Sequence, residues 1–317
     1  MDLKPEIIEK IKQLEEKYAA SGQDMSSYLE GLLYADYLTY WDYVHLDTLL
    51  SLQSPRTSFK DEPIFIMYHQ ITELYFKLVL HEAQQICDKE KLTASFFEQR
   101  VDRMIRYFDA LVTSFDVMVD GMEKDQFLKF RMSLLPASGF QSAQYRMIEI
   151  ASTTMYNLVD KDLRSKYTGD ESCEELYENI YWKKGATELA TGKKTLTLIQ
   201  FEEKYTERLI RWAKRFCATN LWSCYNSLPD ADKTEELKNK LKTYDLMVNV
   251  KWPLSHYKSA VRYLQRKPED IMATGGTNWQ KYLPPRFQKR IFFPELWTEQ
   301  EKEEWGKGWV EEQLGLL

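Results

Sequence analysis

The chain has 317 residues, 29% charged and 44% hydrophobic, with a formal net charge of −6, enough to bury a large core as one big domain or two ordinary ones. Only 12 Gly and 10 Pro argue for helix over a turn-rich all-β architecture, and the acidic balance without a basic cluster excludes nucleic acid as an expected partner. No run of about 18 apolar residues is present to span a bilayer, and MDLKPEIIEKIKQLEEKY is too charged for a secretory signal, so a soluble cytoplasmic protein is expected.

Pro5 to Ala20 places Ile7, Ile8, Ile11, Leu14 and Tyr18 at helical spacing, which predicts an amphipathic helix that packs on something. Tyr28 to Leu52 carries the same spacing through Tyr43, Leu46, Leu49 and Leu50, and the tract SPRTSFKDEP ends it. From Asp61 to Glu82, Phe65, His69, Thr72, Phe76 and Val79 step by four, three, four and three residues along one helical face. Ile64, Ile66, Met67, Ile71, Leu74 and Leu78 fill the other faces, so this helix is expected to be buried on most sides.

Leu92 to Glu123 reads as one long helix, and QFLKFRMSLL starts another that stops at Pro136 and Gly139. FQSAQYRMIEIAS is helical again. The more polar stretch 160–197, with YTGDES and ATGKK, is the candidate for an inserted subdomain or lid in an otherwise single helical domain of residues 1–317. Helices are then predicted from LIQFEEKYTERL onward and over 232–250. Pro253 starts or kinks a further helix with Trp252, His256, Ala260 and Tyr263 on one side. ATGGTNW, residues 273–279, breaks helical order and is able to approach a ligand closely.

Four cysteines lack CxxC spacing, so neither a zinc site nor a disulfide framework is indicated. Of the four histidines, His69 and His256 sit on apolar or aromatic helical faces. A buried imidazole needs hydrogen bonds or a ligand, and a core histidine bonded to a backbone carbonyl satisfies that as well as a functional one. Two isolated imidazoles make a poor protein-only metal site, whereas a haem needs only one protein axial ligand. Phe127 and Arg131 are an i,i+4 pair, and the arginine serves either a salt bridge or a carboxylate clamp. Thr274 with Gly275 and Gly276 is a hydroxyl-bearing turn that means little alone.

YWDYVHLDTLLSLQ, DEPIFIMYHQITELYFKLVLHE, FLKFRMSLLPASGFQSAQYRMIE, WPLSHYKSAVRYL, ATGGTNWQKYL and FFPELW together resemble the tryptophan 2,3-dioxygenase family, in order and over most of the chain. The resemblance implies an all-α, haem-binding helical bundle of the tryptophan/indoleamine dioxygenase type. It implies haem b, ferrous in the active state, and insertion of both atoms of O2 into the indole C2–C3 bond of L-tryptophan to give N-formylkynurenine. It also implies a homotetramer. By matching motif, His256 is the proximal iron ligand, His69 faces the distal side as the catalytic residue, and Phe65 contacts the indole ring. Arg131 pairs with the substrate carboxylate, Thr274 helps hold its ammonium or carboxylate end, and Ser138 and Gly139 border the distal haem pocket. Tyr40 and Tyr43 match aromatic positions that reach into the neighbouring subunit's site. Phe127 stands where some bacterial members carry a tyrosine that also touches the carboxylate.

Three other readings fit parts of this pattern. A haem enzyme on the same scaffold could add a single oxygen atom or act on a substituted indole, a noncatalytic haem or tryptophan sensor could bind without turnover, and a purely structural helical bundle would take up no haem.

Overall fold

The computed structural model describes residues 3–34, 39–134, 141–187, 193–264, 285 and 289–306. Helices make up the described architecture; the only β pairing among these residues is two isolated bridges, Val159 with Ile180 and Thr187 with Lys194. Residues 1–54 and 55–317 form two compact units.

The first unit opens with α1, Pro5–Ala20, whose proline sits at the start of the helix with Glu6 in the first turn, as the missing N–H and the helix dipole favour. Tyr18 stacks on Tyr28 of α2, Met25–Leu33, at 4.3 Å. The helical stretch expected over Tyr28 to Leu52 is broken: α3 spans Tyr40–Tyr43 and α4 spans Leu46–Leu50. His45 between them has φ 51° and ψ 48°, and a left-handed residue cannot continue a right-handed hydrogen-bond ladder.

The second unit is organised by α5, Glu62–Cys87. Tyr68, Thr72, Phe76, Val79, Ala83 and Ile86 form its buried face. α6, Ala94–Ser114, lays Phe97, Val101, Met104, Phe108 and Leu111 against the same core, each repeating at the three- and four-residue steps of one helical face. The expectation that α5 is buried on most sides is corrected here. Met67, Ile71, Leu74 and Leu78 are 42%, 45%, 49% and 42% exposed, so α5 carries a second apolar stripe on its outer face.

The long helix expected from Leu92 to Glu123 also breaks. It starts at Ala94 behind the Thr93 cap and turns at Phe115 into α7, Asp116–Val119. α8, Lys124–Phe130, tightens into a 3-10 turn at Arg131–Leu134. α9, Ala143–Ser152, is capped by Ser142 and buried along its length. The segment 160–187 contributes short helices: α10, Met155–Leu158, precedes it, and α11, Cys173–Glu178, and α12, Tyr181–Gly185, lie within it. Its Leu176, Tyr177, Ile180 and Tyr181 join the core cluster shared with α5 and α6.

α13, Leu196–Phe216, α14, Leu221–Ser227, and α15, Glu235–Leu246, complete the wall. α15 runs through a π-turn, Met247–Lys251, into α16, Trp252–Leu264. Pro253 lacks the N–H that an α-helix would donate four residues back, and the wider π-turn falls where that bond is lost. The returning segment 290–297 is then pinned to this junction. Asp245 accepts from the backbone N–H of Phe292 at 3.0 Å and of Phe293 at 3.3 Å, and from Trp297 Nε1 at 3.1 Å. Arg290 pairs with the buried Glu149, which Arg146 also bridges at 3.0 Å.

Candidate active site

His256 lies one turn into α16, with Trp252 and Phe115 as its nearest rings at 4.4 and 4.5 Å between centroids. Its Nδ1 is 3.0 Å from the carbonyl oxygen of Trp252. A carbonyl only accepts, so the proton sits on Nδ1 and the Nε2 lone pair remains available to a ligand. Burial pushes the imidazole pKa down to about 4, against a smaller raising effect from the carbonyl. The ring is therefore neutral at ordinary pH, as a metal-ligating imidazole must be.

His69 repeats the arrangement on α5. Its Nδ1 is 2.7 Å from the carbonyl oxygen of Phe65, which again fixes the proton on Nδ1 and turns Nε2 into an acceptor. The backbone bond expected of a structural histidine is present, but the ring is exposed rather than in the core. His69 is solvent-accessible, yet the surrounding protein still pushes its pKa down by desolvation. Charge on His69 also lowers the pKa of His256, so the two imidazoles lie close enough to sense one another electrostatically. His45 and His81 are exposed.

The wall beside His69 is aromatic. Phe65 lies 4.1 Å from the His69 ring, 6.2 Å from Phe127 and 5.8 Å from Phe130. Phe127 packs 4.5 Å from Tyr263 of α16, whose hydroxyl donates to the carbonyl of Met122 at 3.3 Å. A continuous set of rings thus connects the helix of His69 to the helix of His256. Arg131 follows Phe127 by one turn, at the junction of α8 and its 3-10 extension, and is buried. Desolvation pushes its guanidinium pKa down.

Phe65, His69, Phe127, Arg131 and His256 all lie in the second unit: ring contacts join His69, Phe65 and Phe127 and, through Tyr263, reach the helix of His256, while Arg131 is placed only by its position one turn after Phe127. Tyr40 and Tyr43 belong to the first unit and are 71% and 74% exposed. Ser138, Gly139 and Thr274 lie outside the described residues. Phe115 was not singled out by sequence: it sits at a helix break, and no periodicity marks a residue whose neighbours turn away from one helical face. Tyr263 was placed on the His256 side of α16, but its contact with Phe127 joins segments too far apart in sequence to read from spacing.

Among the described residues no group of three or more His, Cys, Asp or Glu is placed to hold a metal ion. His256, with Nδ1 bonded to its own helix and no partner for Nε2 among the described residues, suits a group that needs a single protein ligand, as an iron porphyrin does.

The family model for tryptophan 2,3-dioxygenase matches residues 31–244, about two thirds of the chain. The chain belongs to the tryptophan 2,3-dioxygenase family. The family member from Herpetosiphon aurantiacus is 30% identical over 264 residues, covering 82% of this chain and 96% of that protein. Members from Ruegeria sp. and Bacillus thuringiensis subsp. konkukian are each 29% identical, covering 84% and 82% of this chain and 92% and 91% of their own. The segment matched to the tryptophan 2,3-dioxygenase family contains Phe65, His69, Phe127 and Arg131, while His256 lies beyond its end at Tyr244.

Proposed function

We propose that this chain is a haem-dependent tryptophan 2,3-dioxygenase, inserting both atoms of O2 across the indole C2–C3 bond of L-tryptophan to give N-formylkynurenine. Family membership supports the reaction. The observation supporting the site is the matched pair of imidazoles, each with Nδ1 bonded to its own helix and Nε2 without a partner among the described residues, on helices joined by one aromatic wall.

In this reading His256 Nε2 holds the iron. The bond from Nδ1–H to the Trp252 carbonyl fixes the ring's tautomer and orientation and raises its strength as a ligand. When bound, the haem supplies the one-electron chemistry that lets dioxygen react with an indole, which side chains cannot provide. His69 Nε2 accepts a hydrogen bond from the indole N–H. Indole is too weak an acid to lose that proton readily, so the bond orients the ring rather than deprotonating it. Phe65, 4.1 Å from His69, gives the ring an apolar surface to lie against.

Arg131 meets the carboxylate through its planar guanidinium fork. Arg131 is buried, so a carboxylate that reached it would be held in a setting where a charge-assisted bond is stronger than in water. Phe127 has no hydroxyl to share that contact, which leaves it to Arg131. Thr274 is proposed at the amino-acid end of the substrate, with Ser138 and Gly139 beside the distal haem pocket.

A homotetramer completes the proposal. The outer stripe of α5 and the exposed Tyr40 and Tyr43 are surfaces of the kind that subunit association covers. No described helix is long and apolar enough to cross a membrane.

The deciding experiment is anaerobic reduction of the haem-loaded protein, followed by L-tryptophan and O2. N-formylkynurenine carrying two oxygen atoms from O2 is expected. A singly oxygenated product would overturn the dioxygenase reading, and haem binding without product would favour a sensor.

A further inference from the structure

The N-termini of α5 and α8 are capped by each other. Asp61, at the start of α5, makes no side-chain cap bond to its own helix. Its Oδ2 instead accepts from the backbone N–H of Glu123, at the start of α8, at 2.6 Å. In return Gln126, in the first turn of α8, turns Oε1 back to the other helix. It accepts from the backbone N–H of Lys60 at 2.9 Å and of Asp61 at 3.3 Å. Gln126 Nε2 then donates to Glu123 Oε2 at 2.8 Å, which holds the amide in this orientation. The approach to α5 is fixed as well: the buried carboxylate of Glu62 accepts from the backbone N–H groups of Arg56 and Thr57 at 2.8 and 2.7 Å.

Helix ends carry N–H groups that need partners, and any nearby Ser, Thr or Asp could have supplied them locally. Exchanging the partners between helices does more, because it sets their relative position. Asp61 lies one turn before Phe65 and two before His69, while Gln126 is adjacent to Phe127 and five residues before Arg131. The two helices that contact each other here carry the two ends of the proposed substrate site. His69 is the partner of the indole N–H, and Arg131 is the partner of the carboxylate.

Resting on that reading of the site, we infer that Asp61 and Gln126 are positioning residues whose reciprocal capping sets the spacing between the indole and carboxylate contacts. The clamp makes the site selective for an indole that carries a carboxylate at the reach of an α-amino acid side chain. A ligand engaging one contact alone does not depend on the spacing.

The test uses Gln126→Ala and Asp61→Ala, with Asp61→Asn as the conservative variant that keeps an acceptor oxygen for Glu123 N–H, and Arg131→Ala as a control. Equilibrium binding of L-tryptophan and of 3-methylindole to the haem-loaded enzyme is followed without O2 by the haem absorption band, alongside the thermal midpoint. For Gln126→Ala the dissociation constant for L-tryptophan is expected to rise about tenfold, in line with the penalty for displaced contacts. That for 3-methylindole should stay at the wild-type value, and Asp61→Asn should restore most of what Asp61→Ala loses. Equal weakening of both ligands would show a merely structural role and overturn the inference. So would unchanged tryptophan binding in Gln126→Ala when Arg131→Ala weakens it. If Arg131→Ala itself leaves tryptophan binding intact, the reading of the site fails, and the clamp falls with it. Should Asp61→Ala fail to fold, Gln126→Ala, on a half-buried residue, carries the test.

Discussion

His256 and Trp252 are joined twice: the indole ring meets the imidazole edge-on at 4.4 Å, and the backbone carbonyl of the same tryptophan accepts from Nδ1–H at 3.0 Å. One contact fixes the plane of the imidazole and the other its tautomer. Both are set by residues one turn apart immediately after the π-turn of Met247–Lys251. π-turns recur at functional sites because they re-aim side chains that a regular helix would hold elsewhere.

Replacing His256 by Ala removes the proposed iron ligand. Protein supplied with haem should then lose the wild-type ferrous spectrum and its tryptophan-dependent product, while the helical far-UV signal persists. An unchanged haem spectrum with full activity would remove His256 from the iron.

His69→Ala should be milder. The variant loses one neutral hydrogen bond to the indole N–H, a difference of about 0.5–1.5 kcal/mol, or about 2- to 10-fold in kcat/KM. Steady-state kinetics with L-tryptophan check this. Complete loss of turnover with haem still bound would instead make His69 an obligatory proton acceptor.

How far these residues could be read from the sequence differs by the kind of relationship. Four- and three-residue steps place Phe65 and His69 on one helix and Phe127 one turn before Arg131, and motif order assigns His69 and His256 opposite roles. Spacing could not show that α5 leaves Met67, Ile71, Leu74 and Leu78 exposed, because an apolar stripe looks the same whether core or another surface covers it. Nor could it show the break at His45, where a non-glycine residue takes a left-handed conformation with no local signal. The bonds of Asp61 to Glu123 and of Gln126 to Lys60 span more than sixty residues and exist only once the helices have packed.

Arg131 offers a sharper test than His69. Leaving a substrate carboxylate unpaired in a desolvated site costs about 2–5 kcal/mol, so Arg131→Ala should lower kcat/KM for L-tryptophan by about 30-fold to several thousand-fold. Arg131→Lys keeps the charge without the planar fork and should fall between. A normal kcat/KM in Arg131→Ala would place the carboxylate elsewhere.

The lowered pKa of His256 gives the haem-free protein a defined dependence on pH. The folded-state value of about 4 lies below the ordinary 6.5, so between these values the unfolded chain binds a proton that the folded chain refuses. The stability contributed by this neutral ring is present in full above about pH 6.5 and is lost as pH falls toward 4, by up to about 3 kcal/mol across that window. Asp245 works in the opposite sense. Burial raises its carboxyl to about 6 from 3.8 despite its N–H donors, so its contribution is present below about pH 4 and is lost as pH rises through 6. The two partly offset in the wild type, and the His256 effect is isolated by difference against His256→Leu, which keeps an apolar side chain there. Chemical denaturation of the haem-free proteins from pH 4 to 7 should show wild type gaining on the variant as pH rises. A difference that stays constant, or shrinks, would mean that the imidazole is not held neutral in the fold.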